Sequence, residues 1–391
     1  MKGKGKIVSG LIIILIGICI GTVWAFNRKQ DTKTATTAAT ESSTQATTSS
    51  TSKKEEKGIS AMVDQMSLEE KVGQLFFART PQENQISDIQ DYHLGGYVLF
   101  GEDTENETKA SLQEKIQSFQ EASDIPLLIG SDEEGGTVTR VSNNPELVDQ
   151  PFKSPQEIYA ENGWQGIIDD TKQKAAVLDE LGINVGLFPD ADVSTDEESF
   201  IYDRTIGMDA KGTSKYVENV VKTLQEVNSG STLKHFPGYG NNRDSHVEIV
   251  TDDRSLEELR KNDFLPFEAG VEAGADSILV SHNIVSSIDP DVPASISPAV
   301  HKILRDELNF DGVVMTDDMD MAGLADFISQ EEAGLAALKA GNDLVMSSSY
   351  QEQIPAVIQA VKEGDFSEKE LDASVARVLH WKQDQGLLLK K

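Results

Sequence analysis

The chain has 391 residues and a formal net charge of −31, which is long enough for one large domain or two small ones. Hydrophobic residues make up 38% and charged residues 26% of the sequence, a composition typical of a soluble globular protein and not of one with many membrane spans. A body this acidic repels polyanions, which argues against a nucleic-acid partner.

The chain begins with three lysines in residues 1–6, followed by twenty uncharged residues, 7–26. Twenty such residues suffice to cross the hydrocarbon core of a membrane. We therefore predict a cytoplasmic n-region at 1–6 and a single-pass membrane anchor at 7–26, with the remaining body outside the cell. A cleaved signal peptide is the alternative, because Val23 and Ala25 form a small-residue cleavage pattern; the body would then be secreted. Lipid attachment at Cys19, the single cysteine, is disfavoured because Ile18 precedes it.

Residues 27–58 are rich in Thr, Ser and Ala, and residues 1–58 together carry a net charge of +5, which leaves −36 for the rest of the chain. A segment of this composition cannot bury enough apolar surface to offset the entropy lost on ordering. We predict a disordered linker at 27–58.

Regular structure is predicted from residue 59 to the end. Eight short apolar runs recur there, at residues 74–78, 95–101, 126–132, 183–190, 231–238, 277–283, 312–318 and 343–349. Amphipathic segments with helical spacing, such as 208–230 and 255–275, lie between most of them. Alternating strands and helices predict an α/β protein with a parallel sheet, and eight units favour a single (β/α)8 TIM-like barrel over an open doubly wound sheet.

Polar residues with acid–base chemistry follow several of the predicted strands. They are Asp132 to Glu134, Asp190, Asp192, Lys234, His235, Ser281, His282, Asp317 and Asp318. Because active sites of such barrels lie at the carboxyl ends of the strands, we predict an active site there. The sequence contains no GxSxG, HExxH or P-loop motif. A carboxylate nucleophile with a separate proton donor indicates glycoside hydrolysis through a covalent intermediate.

Five motifs make this interpretation more specific: "LLIGSDEEGGTVTR" (127–140), "DRTIG" (203–207), "KHFPGYG" (234–240), "DSH" (244–246) and "GVVMTDDMDM" (312–321). In order and spacing they resemble bacterial β-N-acetylglucosaminidases of glycoside hydrolase family 3. The resemblance covers roughly residues 60 to 385 and implies that residues 59–391 form the catalytic barrel.

The resemblance implies that Asp317 is the nucleophile and that His246 is the general acid/base with Asp244 as its partner. A carboxylate beside an imidazole favours the cation and suits proton donation near neutral pH. Strand alternation predicts that Asp317 and Asp318 do not both face the barrel mouth. We therefore expect a supporting or helix-capping role for Asp318.

The resemblance also implies which residues bind the terminal sugar: Asp132, Arg140, Arg204, Lys234 and His235. Asp192 is expected to orient Lys234 or an arginine, and no role follows for Ser281 and His282.

Two departures from the family pattern bear on activity. The loop at 241–243 is one residue short, and Tyr239 stands where a histidine is common, which puts catalytic rate or aglycone choice in doubt.

We therefore expect a membrane-tethered, monomeric, retaining exo-β-N-acetylglucosaminidase that needs no metal or cofactor and acts on cell-wall glycans or muropeptides. A family 3 β-glucosidase or a phosphate-using relative is the nearest alternative. A non-catalytic surface sugar-binding protein and a metal hydrolase built on His235, His246 and His282 are two others.

Overall fold

A computed structural model describes residues 57–245 and 248–388. The predicted n-region, the predicted anchor and most of the predicted linker lie outside these residues. Residues 57–63 are helical, so the last two positions assigned to the linker belong to a helix. Within the described ranges, no helix has the length and apolar character needed to cross a membrane.

Eight parallel strands form the centre of the body. They are β1 (Phe76–Arg79), β2 (Gly96–Leu99), β3 (Leu128–Ser131), β4 (Val185–Gly186), β5 (Thr232–Phe236), β6 (Ser277–Val280), β7 (Val313–Thr316) and β8 (Val345–Ser347). Seven of them lie within predicted apolar runs, and β1 extends one residue, Arg79, past the run 74–78. Strands β8, β1, β2, β3 and β4 pair in that order, as do β5, β6 and β7. The predicted parallel α/β architecture is confirmed.

Isolated bridges join the two sheets at both edges and close the barrel. Residue pairs Val185–Gly230 and Asp190–Lys234 connect the β4 segment to β5, and the pair Met315–Leu344 connects β7 to the residue before β8. Every residue of β2, β3, β5, β6 and β7 is buried, because helices cover the outside of a parallel barrel while side chains fill its inside.

One main helix follows each strand. These helices are α1 (Gln85–Tyr92), α2 (Lys109–Ala122), α3 (Pro155–Leu181, kinked at Gly163), α4 (Ala210–Val227), α5 (Phe264–Ala273), α6 (Pro298–Lys302, continued by a π-helical turn Ile303–Glu307), α7 (Gln330–Ala340) and α8 (Tyr350–Glu363). Shorter helices are Leu68–Gly73, Gly101–Thr104, Leu256–Lys261 and Ala322–Ala325, with 3-10 turns Tyr202–Arg204 and Ala294–Ile296 and a last long helix Glu368–Asp384.

Local sequence signals explain several of these boundaries. The hydroxyls of Thr108 and Ser154 accept hydrogen bonds from the backbone of the third helical residues of α2 and α3, which satisfies amide groups that the helix leaves free. Gly182 ends α3 with a φ of 85°, a left-handed conformation that glycine adopts without steric cost.

Two small sheets lie beyond the carboxyl ends of the barrel strands. Glu133–Gly135 pairs antiparallel with Val138–Thr139, and Thr251–Asp252 pairs parallel with Ile284–Val285. These additions bring residues from distant parts of the sequence to the same rim of the barrel, where the predicted site residues lie.

Candidate active site

A cavity of about 300 Å³ opens at the carboxyl ends of the barrel strands. All five predicted sugar-binding residues and the predicted nucleophile line it: Asp132, Arg140, Arg204, Lys234, His235 and Asp317. The other lining residues are Arg79, Phe100, Val138, Leu187, Leu279, Asp318, Met321 and Met346. The structure therefore brings together residues spread over more than 180 positions of the sequence.

Lys234 is buried between two carboxylates. Its Nζ donates to Asp132 Oδ1 at 2.6 Å and lies 2.6 Å from Glu134 Oε1. Burial lowers the pKa of Lys234, but the charges of Asp132 and Glu134 outweigh it and raise the pKa above its ordinary value. The ammonium group therefore stays charged and holds Asp132 in a fixed position at the cavity wall.

Glu134 lies at the centre of the charged cluster; the sequence placed it at the predicted rim but indicated no role for it. Arg204 donates from Nε and Nη2 to its two oxygens at 3.0 and 2.8 Å. Burial alone would raise the pKa of Glu134, but Arg204 and Lys234 hold it well below its ordinary value. Three adjacent acidic residues after β3, "DEE", were the available signal, since a buried acid requires a cationic partner.

His235 is held as a neutral imidazole. Arg204 Nη2 lies 3.0 Å from His235 Nε2, and His235 Nδ1 lies 2.8 Å from Asp192 Oδ2. Because arginine only donates, Nε2 accepts and Nδ1 carries the proton. Burial first, and the Arg204 cation second, lower the pKa of His235. A shift in the pairing of β5 and β6 between Leu233 and Phe236 interrupts strand alternation, so Lys234 and His235 both reach the cavity.

Asp192 orients His235, whereas the sequence predicted that it orients Lys234 or an arginine. Besides His235, it accepts a hydrogen bond from the backbone of Tyr239 at 2.6 Å through its other oxygen. The tyrosine ring packs edge-on against His235 with ring centres 5.0 Å apart. Tyr239 is fully buried and therefore supports His235 without lining the cavity itself.

Asp190, Asp192 and His235 bring ligand atoms within 4.8 Å of one another, a spacing that a metal ion could use. Both oxygens of Asp192 and both nitrogens of His235 already take part in hydrogen bonds. A metal would have to displace these bonds. The hydrogen bonds of Asp192 therefore indicate that this residue positions His235 and Tyr239.

Arg140 lies at the outer wall of the cavity. Its Nη2 is 3.7 Å from Asp132 Oδ2, and its guanidinium lies 5.7 Å from the centre of the Phe100 ring. Nε of Arg140 is buried and donates to no described residue.

Asp317 and Asp318 both line the cavity, so the prediction that only one of them faces the barrel mouth was wrong. Strand β7 ends at Thr316, and alternation does not extend past the end of a strand. The expected local role of Asp318 is present as well, because its Oδ1 accepts from the backbone of Asp320 at 3.1 Å. Asp318 N donates to Asp317 Oδ1 at 2.9 Å, which fixes the carboxylate of Asp317.

His282, for which no role was predicted, supports this pair from behind. Its Nε2 lies 2.9 Å from the carbonyl oxygen of Asp318, and its Nδ1 lies 2.7 Å from Ser295 Oγ. Since a carbonyl only accepts, Nε2 carries the proton. His282 thereby holds the main chain beside Asp317, and a metal shared with His235 would have to displace these hydrogen bonds. Ser281 is buried behind the cavity lining.

The loop after β5 carries the predicted acid/base pair. Asp244 is partly buried and is not among the residues that line the cavity, whereas His246 lies outside the described residues.

The loop after β5 is held by hydrogen bonds on both sides of the shortened segment, 241–243. Arg254 donates to the Gly238 carbonyl at 2.7 Å, and the Tyr239 hydroxyl lies 2.5 Å from Ser245 Oγ.

Ser245 also contacts the segment that follows Asp317 and Asp318. The backbone of Gly323 donates to the Ser245 carbonyl at 3.2 Å. A Cβ atom at Gly323 would lie 2.4 Å from that oxygen, so a larger residue does not fit without a shift of main chain. The two loops therefore meet through backbone atoms.

The sequence matches the family model described as "Glycosyl hydrolase family 3 N terminal domain" over residues 67–381. It is 35% identical over 257 residues to a β-hexosaminidase of Idiomarina loihiensis, covering 65% of this chain and 76% of that protein. It is 28% identical over 321 residues to β-hexosaminidase A of Pseudoalteromonas piscicida, covering 74% of this chain but 53% of that protein.

The fold is similar to that of a family 3 β-N-acetylglucosaminidase from Paenibacillus sp. str. FPU-7, with a TM-score of 0.77 and 28% sequence identity. The alignment covers 83% of this chain and 64% of the Paenibacillus protein. The chain thus spans less than two thirds of two of these relatives.

Proposed function

Since the chain belongs to glycosyl hydrolase family 3, we propose that it is a retaining exo-β-N-acetylglucosaminidase. Its substrate would be the terminal non-reducing N-acetylglucosamine of cell-wall glycans or muropeptides. The β-hexosaminidase relatives support this choice of sugar.

One observation carries the proposal: a carboxylate, Asp317, shares a single cavity with a wall of charged and polar groups formed by Asp132, Arg140, Arg204, Lys234 and His235. Carboxylates and guanidinium groups pair with the hydroxyls of a sugar, and a mismatched group on either side is costly. A cavity of about 300 Å³ suits one sugar ring and favours removal of terminal residues.

In the proposed mechanism, Asp317 attacks the anomeric carbon and forms a glycosyl ester while the bond to the leaving oxygen breaks. His246, as the imidazolium, gives its proton to that oxygen. Water then attacks the anomeric carbon, gives its proton to His246, and releases Asp317 as a carboxylate. Two inversions leave the configuration retained. The roles of His246 and Asp244 rest on the family motif.

This function predicts a clear preference among chromogenic substrates. The N-acetyl-β-glucosaminide should be cleaved at least about tenfold more efficiently than the β-glucoside, as judged by kcat/KM. Added inorganic phosphate should leave the rate unchanged and yield no sugar 1-phosphate by chromatography.

A preference for the glucoside would indicate a family 3 β-glucosidase, and formation of a sugar 1-phosphate would indicate a phosphorylase. Sugar binding without turnover of either substrate would favour a surface binding protein. Activity lost with a chelator and restored by a divalent metal would contradict the metal-free mechanism.

We also propose that residues 7–26 anchor the enzyme to the cell membrane, with the barrel outside. The twenty uncharged residues support this. Expressed as the full chain, the enzyme should be found with the membrane fraction, whereas residues 57–391 alone should be found in the soluble fraction. Release of the full chain into the medium with residues 1–25 missing, measured by N-terminal sequencing, would show a cleaved signal instead.

A further inference from the structure

Asp318 is a second acid at the cavity that the proposed mechanism does not use. Its Oδ1 accepts from the backbone of Asp320, and its carbonyl oxygen is held by His282 Nε2 at 2.9 Å and by the backbone of Met321 at 3.0 Å. Among the described residues, none donates a hydrogen bond to its Oδ2. The residue is therefore fixed through its backbone and one carboxylate oxygen, and it lines the cavity beside Asp317.

Two methionines lie beside this acid. Met321 is joined to Asp318 by the backbone hydrogen bond already described. Met346 on β8 donates from its backbone to Thr316 Oγ1 at 3.0 Å and accepts from the backbone of Met319 at 2.9 Å. These bonds place Met346 along the chain segment that contains Asp317 and Asp318, and both methionine residues line the cavity.

This wall differs from the wall formed by the groups assigned to the sugar hydroxyls. The groups assigned to sugar hydroxyls are Asp132, Arg140, Arg204, Lys234 and His235, which combine carboxylate, guanidinium, ammonium and imidazole groups. Beside Asp317 lie instead one carboxylate and two flexible thioether side chains, which adapt to small apolar groups. The cavity thus offers a mixed polar and apolar surface next to the proposed nucleophile.

We propose that Asp318, Met321 and Met346 form the subsite for the 2-acetamido group of the substrate. This proposal rests on the proposed function. Carbon 2 of the sugar adjoins the anomeric carbon that Asp317 attacks, so its substituent must lie beside Asp317. An acetamido group carries an N–H donor and a methyl group, which match the free oxygen of Asp318 and the thioethers.

The environment of Asp318 is consistent with this role. Burial raises the pKa of its carboxyl to about 6, with Asp320 and Asp317 adding to the rise and Arg79 opposing it. At neutral pH the carboxylate accepts the N–H of the substrate. A glucoside offers a smaller hydroxyl group at this position and leaves the thioethers without an apolar partner.

The test compares Asp318→Ser with Asp318→Asn. Serine can still accept the backbone N–H of Asp320 in the local turn but no longer presents a second oxygen to the cavity. We expect Asp318→Ser to lower kcat/KM for the N-acetylglucosaminide by about 10- to 100-fold and for the glucoside by about threefold or less. Asn has a single acceptor oxygen. With that oxygen on the backbone of Asp320, its NH2 group faces the substrate N–H, so Asp318→Asn should lower the preference between the two sugars as Asp318→Ser does.

The measured quantity is the ratio of kcat/KM for the two substrates, which a general loss of structure does not change. Equal losses on both substrates in Asp318→Ser, with wild-type preference for the N-acetylglucosaminide intact, would overturn the subsite alone. A wild-type enzyme that prefers the glucoside, or cleaves neither, would overturn the proposed function and this inference with it. If Asp318→Ser does not fold, Met346→Ala replaces it, and an unchanged ratio there overturns the subsite.

Discussion

Replacing Asp317 by asparagine should lower kcat by about 10⁴-fold or more while leaving sugar binding nearly intact. The amide keeps the size of the carboxyl group and can still accept the 2.9 Å hydrogen bond from Asp318 N. It lacks the anionic oxygen that forms the glycosyl ester. The rate is measured by steady-state release of a chromogenic aglycone, and binding by competition with N-acetylglucosamine.

The matched control is Asp326→Asn, an exposed acid nine positions further along the chain, which should retain wild-type kcat. A fluorinated N-acetylglucosaminide that traps the covalent intermediate should label the wild type on the peptide that contains Asp317. Labelling of Asp318 in place of Asp317, or a kcat for Asp317→Asn within tenfold of wild type, would contradict the assignment.

Replacing Arg204 by methionine should destabilise the protein by about 3–5 kcal/mol, a fall in melting temperature of roughly 5–10 °C. The guanidinium is the bidentate partner of Glu134 and lies 3.8 Å from Asp190. Removing it takes the nearby guanidinium away from the buried carboxyl groups of Glu134 and Asp190. Lys234 would then be the remaining cation in contact with Glu134. Thermal unfolding followed by circular dichroism measures the change.

Arg260→Met is the matched control, because it removes an arginine–glutamate pair with the same two-bond geometry at an exposed position. Arg260 also binds a glutamate, Glu307, through two hydrogen bonds at 2.9 and 2.7 Å, but both side chains are exposed. Water screens such a pair, so its removal should lower the melting temperature much less than Arg204→Met does. Similar falls in melting temperature in both variants would mean that the buried ion pairs of Arg204 contribute no more to stability than the exposed pair of Arg260.

The effect of Arg204→Met should also depend on pH. The pKa of Glu134 is held well below its ordinary value of 4.5, so the unfolded chain takes up a proton at a higher pH than the folded protein does. The stabilising contribution is therefore complete above about pH 4.5 and decreases as the pH falls below it. The difference in melting temperature between variant and wild type should narrow over that acidic range.

The strands could be predicted from the sequence because each is buried and therefore apolar along its whole length. Runs such as residues 277–283 and 312–318 contain β6 and β7 for this reason. The polar residue at the end of each run then marks the carboxyl rim. Since parallel strands present that end to the same side, the sequence pattern alone predicts that Asp132, Lys234, His235 and Asp317 share one rim. Arg140 and Arg204 follow no predicted strand directly, and only the resemblance to family 3 implied their place in the site.

Contacts between remote residues could not be predicted in this way. Glu134 and Arg204 are 70 positions apart, and a sequence pattern gives the strand on which each lies but not which charges pair. Likewise, alternation states nothing about residues beyond the end of a strand, so the direction of Asp318 was mispredicted. The link between Tyr239 and Ser245 depends on the path of an irregular loop, for which no periodic signal exists.

The main-chain contact between Gly323 and Ser245 limits which substitutions the two loops can accept. Gly323 donates to the carbonyl of Ser245, and a Cβ atom at Gly323 would lie 2.4 Å from that oxygen, so the loop after β5 and the segment after β7 meet without an intervening side chain. Side chains around this contact can then be substituted while the spacing of the two main-chain segments stays the same.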